Sequence, residues 1–167
     1  MSTIQNEPST TAIAAIEYPE DNGEPIAENT LQFKWIVLIK ENLELVFESD
    51  PAVFIAGDLL WYPVHGEPGI CTAPDAMVAF GRPKGRRGSY KQWEEGGVAP
   101  QVVFEVLSPG NRDEELIRKR RFYEDHRVEE YYEYDPDEGT LQGWRRVKRK
   151  LLPIAEMKGF VRPRLGI

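Results

Sequence analysis

With one cysteine, Cys71, and two histidines, His65 and His126, in 167 residues, the chain has little room for several kinds of chemistry. A lone thiol cannot close an internal disulfide, and three scattered soft ligands do not make a four-ligand zinc site. Neither histidine stands in a nucleophile motif, so Cys71 reads as a small buried or half-buried thiol. No apolar run approaches the roughly 20 residues that span a bilayer. The N-terminus also lacks the basic and apolar regions of a secretory signal. A cytoplasmic protein without a membrane segment is the expectation. No internal repeat is visible, which excludes solenoids and propellers.

Basic residues are scarce in one half only. From Met1 to Phe80, Lys34 and Lys40 face 13 acidic residues, whereas Gly81 to Ile167 holds 19 basic and 15 acidic residues. The overall charge of -7 argues against a polyanion partner, but a phosphate-binding surface can still come from the second half. The length suits one domain burying about two thirds of its unfolded surface.

Residues 1–24 are rich in Ser, Thr and Pro and show no sustained period, which reads as a flexible or extended arm before a domain over 25–167. Leu31, Trp35, Leu38, Ile39, Leu43 and Val46 predict the buried face of a helix, with Asn29 as N-cap and Gln32 as its capping-box partner. Ala52 to Val64 predicts two short strands, Asp75 to Phe80 a buried strand, and Gln101 to Leu107 the most apolar strand. Ser108 and Asn111 read as turn and cap residues. Asp113 to His126 predicts a second helix, and Val128 to Tyr134 a strand paired through the turn DPDEG with a hairpin partner. The order predicts an α/β (α+β) fold: a mixed β-sheet flanked by helices. The tract RRVKRK, Arg145 to Lys150, reads either as a charged edge strand or as a phosphate-contacting face.

Two acids stand out. Asp75 follows Pro74 at the head of one apolar strand, and Glu105 lies inside another between Phe104 and Val106. A carboxylate among such neighbours is costly unless it is paired or metal-bound. Two carboxylates on a rigid sheet also match what Mg²⁺ needs, since it commonly takes one or two of them plus water and substrate oxygens. The other reading of Glu105 is the exposed face of a half-buried strand.

Pro74-Asp75, then EVLSPGN from Glu105, then a basic helix with Lys119 and Tyr123, then VEEYY from Val128 and Asp135-Pro136, resembles the Uma2 (DUF820) family of endonucleases. That family lies in the PD-(D/E)xK, restriction-endonuclease-like superfamily. The resemblance implies a restriction-endonuclease-like core and a phosphodiester hydrolase acting on DNA with Mg²⁺ or Mn²⁺. It places Asp75, Glu105 and the main-chain carbonyl of Val106 on the metal. The usual lysine two residues after the acid is replaced by Leu107, and Lys119 is the matching position. Glu28 would supply an accessory acid, and Tyr123 would share the face of Lys119. A further reading is a homodimer whose partner completes the site, as restriction-type enzymes often cut two strands with two subunits.

Each of these has a plainer rival. Lys119 sits within RKRR, where a lysine is commonly a solvated charge, and Tyr123 can be a packing residue. The loop GRPKGRRGSYKQW, with Arg82, Lys84, Arg86, Arg87 and Lys91, can track a phosphate backbone, form a dimer contact or stay mobile. Leu107 and the acidic first half leave a second function open: an inactive nuclease-fold module that binds nucleic acid or a protein.

Overall fold

The computed structural model describes residues 15–110, 113–155 and 157. The expected cap residue Asn111 and the first 14 residues lie outside them. Asn29, in extended backbone, accepts from the Gln32 amide at 2.8 Å and starts helix α1, Thr30–Val46. Such a cap stabilises a helix by about 1 kcal/mol. Gln32 does not close a capping box on Asn29. Its Oε1 accepts from the Glu28 amide at 2.7 Å, and its Nε2 donates to the Val106 carbonyl at 2.8 Å.

The helix is rotated from the expected face. Gln32, Ile36 and Leu43 are buried, whereas Leu31, Leu38 and Val46 are exposed. Phe33, Ile36 and Val37 make α1 apolar almost all round, so periodicity does not select one face. Packing on the sheet selects it, and this turns Gln32 toward Val106.

Six strands form the main sheet: β1 (Val53–Ala56), β3 (Ala76–Phe80), β5 (Val102–Val106), β6 (Glu130–Asp135), β7 (Thr140–Val147) and β8 (Lys150–Pro153), side by side in that order. All neighbours are antiparallel except β5 and β6. Parallel neighbours need a crossover, and helix α2, Asp113–Asp125, supplies it. The alternation of strand side chains sorts the core into two layers. Val53, Ile55, Val78, Val102 and Tyr132 pack with Leu43 of α1, and Phe54, Met77, Val103 and Tyr131 pack with Tyr123 of α2. Each large side chain fully removed from water contributes about 1.5–3 kcal/mol.

The stretch Gly81–Ala99, which includes the basic loop, contains a two-residue strand β4, Tyr90–Lys91. It pairs in parallel with β2, Trp61–Tyr62. Tyr90 is fully buried, stacks on Phe54 and donates its hydroxyl to the Val98 carbonyl at 2.8 Å. The tract RRVKRK is the β7–β8 hairpin, turning at Lys148 with φ 57°. Arg146 folds back from it to donate to the Val128 and Glu124 carbonyls at 2.7 Å, closing the end of α2.

Candidate active site

The registers bring Asp75 and Glu105 together. Ala76 of β3 pairs with Phe104 of β5 in antiparallel sense, so the next pair outward is Asp75 opposite Glu105. Directly opposed residues have Cβ atoms about 5 Å apart. Asp75 is fixed by accepting the Val106 amide on Oδ2 at 2.7 Å. Glu105 shares the strand face of Val103, toward α2, and is 2% exposed. The crossover carries α2 over this face. Lys119 therefore places Nζ 2.8 Å from Glu105 Oε2, and Tyr123, one turn on, donates its hydroxyl to Oε1. Leu107 is on the same strand face as Glu105, and the ammonium arrives from the helix instead.

The same face carries two further acids that the sequence reading did not single out. Glu133 of β6 pairs with Glu105 and accepts the Tyr131 hydroxyl at 2.8 Å. Asp58, just past β1, donates its amide to the Pro74 carbonyl at 3.0 Å, beside Asp75. Asp58 and Asp75, just outside β1 and β3, thus lie near Glu105 on β5 and Glu133 on β6. Burial and the charge of Glu105 push the Asp75 carboxyl up to about 8. Burial, then Asp21, raises Asp58. At Lys119 burial opposes the charge, but Glu105 and Asp75 outweigh it, and the ammonium is held above its ordinary value. Burial and Glu105 raise the Tyr123 phenol well above its usual range, which keeps it a hydrogen-bond donor.

These residues fit a hard divalent ion. The donors available are oxygens, from Asp75, Glu105 and the Val106 carbonyl, and a cation would offset both the burial of Asp75 and the nearby charge of Glu105, which together raise its carboxyl. Among the described residues no group of three or more His, Cys, Asp or Glu side chains forms a metal cluster. Mg²⁺ does not require one, because it keeps several waters.

The profile of one family, Uma2, described as "Putative restriction endonuclease", matches residues 11–164. The chain belongs to the Uma2 family. A crystal structure described as a putative nuclease belonging to DUF820, from Anabaena variabilis ATCC 29413, is similar in fold. It is 15% identical, with a TM-score of 0.58 over 80% of this chain and 72% of that one. No curated protein sequence matches the chain. The Uma2 membership supports a nuclease-like role, and the neighbour shares the mixed α+β fold, a mainly antiparallel sheet flanked by two helices.

In this Uma2 chain a half-enclosed cavity of about 530 Å³ opens in front of Asp75 and Lys119. Glu28 lines it and accepts the Ser108 hydroxyl, and Arg118 also lines it. The basic loop is elsewhere. Arg82 and Lys84 follow the far end of β3 from Asp75, on the order of 20 Å along the strand. Arg82 donates to the Glu95 carbonyl and Lys84 to the Phe47 carbonyl. Arg87 pairs with Glu95 and covers the Phe54 ring, and Lys91 pairs with Glu94. Arg86 is exposed, with no ion pair among the described residues. Most of these charges are thus engaged inside the fold. Among the described residues no helix is long and apolar enough to cross a membrane.

The sequence reading also missed the course of residues 15–28, which have no helix or strand. Its only signal was the acid run between Glu17 and Glu28. The Tyr18 ring packs among Tyr62, His65 and Trp93, and its hydroxyl accepts the Gly66 amide at 2.6 Å. The Tyr62 hydroxyl donates to the Pro19 carbonyl at 2.7 Å.

Proposed function

We propose that this Uma2 protein is a divalent-cation-dependent endonuclease that hydrolyses phosphodiester bonds in DNA. The observation that carries the reading is the convergence of Asp75, Glu105 and Lys119 on one sheet face beside a cavity. Asp75, Glu105 and the Val106 carbonyl would hold Mg²⁺ or Mn²⁺, which when bound acidifies water and offsets charge on phosphate oxygens. Lys119 supplies a fixed positive charge that orients the attacking water and stabilises the developing negative charge on phosphorus oxygens. Tyr123 positions Glu105 by donating its buried hydroxyl to Oε1. Gln32 positions the Val106 carbonyl, and Glu28 adds a carboxylate at the cavity wall.

The test is cleavage of plasmid DNA with Mg²⁺ or Mn²⁺ by the wild type, Asp75→Ala and Glu105→Ala. Cleavage that needs the cation and is lost in both variants supports the reading. Cleavage that survives them overturns it. Cation-independent DNA binding without cleavage favours the inactive-module reading.

A further inference from the structure

The cavity in front of Asp75 is not an open groove. The segment Tyr18–Glu28 contributes to its lining through Asn22 and Glu24 to Glu28, together with Asp58, Asp75 and Lys119. This strap is fastened at both ends. Tyr18 sits in its aromatic box, and Tyr62 holds the Pro19 carbonyl. At the other end Glu28 holds Ser108, and its amide is bound by Gln32. Between them the strap is shaped by its own turns, in which Asp21 accepts the Gly23 amide at 2.7 Å and Asn22 accepts the Glu24 amide at 3.0 Å. Glu20 rests against Gly88, where a Cβ would collide with its carboxylate.

Two physical consequences follow. A cavity of about 530 Å³ falls within the roughly 300–1,000 Å³ of small-ligand pockets, a size that suits one nucleotide rather than a duplex. The strap is also strongly acidic: it holds Glu20, Asp21, Glu24 and Glu28 and no basic residue, and Glu24 and Glu28 line the cavity. A duplex would bring two phosphate backbones against it, whereas an unpaired strand brings one and can thread. We infer that, if Asp75, Glu105 and Lys119 cut nucleic acid as proposed above, the strap restricts the substrate to single-stranded or locally unpaired DNA.

The test uses the full chain with one labelled oligonucleotide, as a single strand and as a blunt duplex. Cleavage is followed in Mg²⁺ and binding by fluorescence anisotropy in Ca²⁺. The wild type should cut and bind the single strand at least about tenfold better, a difference of about 1.4 kcal/mol. Tyr18→Ala, and the milder Tyr62→Phe, free the strap and should move the ratio toward one by improving the duplex. Circular dichroism checks that both variants fold. Equal or better use of the duplex by the wild type, or a ratio unchanged in both folded variants, overturns the inference. Preferential single-strand binding without cleavage would sink the nuclease reading and leave the strap's selectivity standing. Binding of neither form would end both.

Discussion

Replacing Asp75 with Asn is expected to make the metal-free protein more stable, the opposite of the usual effect of changing a buried, hydrogen-bonded residue. Its carboxyl is raised from 3.8 to about 8 by burial and by Glu105. Between those values the folded chain holds a proton that the unfolded chain releases. This contribution to stability is therefore fully present below about pH 4 and is lost as pH rises through about 8. Each unit corresponds to about 1.4 kcal/mol, so the whole interval amounts to about 6 kcal/mol. Local relaxation and water entry relieve part of the cost of a buried charge. An amide oxygen at position 75 can still accept the Val106 amide, so a net gain of about 1–3 kcal/mol is expected near pH 8. For a chain of this size that raises the unfolding midpoint by about 3–10 °C. The assay is thermal unfolding in EDTA across the pH range, where the two curves should converge toward pH 4. Adding Mg²⁺ should raise the midpoint of the wild type and leave that of Asp75→Asn unchanged. A variant less stable than the wild type near pH 8 in EDTA would refute the reasoning, as would a gap that does not close at low pH.

Tyr123→Phe should leave Glu105 Oε1 without its buried donor and cost about 1–3 kcal/mol, read by urea unfolding. Lys119→Met should lower the cleavage rate by about 10²–10⁴; Leu107→Lys in the same chain should restore part of it, since that position shares the face of Glu105, and no recovery would count against the two positions being equivalent. Leu31, Leu38 and Leu45 leave apolar surface exposed on α1. If a second copy covers it, light scattering should show a dimer that Leu38→Glu with Leu45→Glu dissociates, whereas a monomer at high concentration rejects the dimer.

The parts of the site carried by strands were legible in sequence. Asp75 and Glu105 are acids set into apolar runs, and such runs become buried strands whose registers then oppose the two. Lys119 was not legible from composition, because within RKRR nothing separates it from its neighbours; the family resemblance selected it, and the crossover of α2 explains why it reaches Glu105. The orientation of α1 was misjudged because the helix is apolar on several faces and the sheet decides which one is buried. Gln32 was therefore assigned to a cap rather than to the Val106 carbonyl. β4 has only two residues and depends on the burial of Tyr90, a tertiary effect without a local period. The strap has no periodicity at all, and its course depends on Tyr18 finding an aromatic box built from residues more than 40 positions away. Asp58 and Glu133 were not singled out in the sequence, because only the strand pairing and the Asp58–Pro74 contact bring them beside Asp75 and Glu105.

The most direct measurement is the anomalous map of a crystal soaked in Mn²⁺. The account expects an ion ligated by the carboxylates of Asp75 and Glu105 and by the Val106 carbonyl, with Lys119 beside it. Mn²⁺ bound only elsewhere, or absent from this site at saturating concentration while Lys119 stays on Glu105, would contradict it.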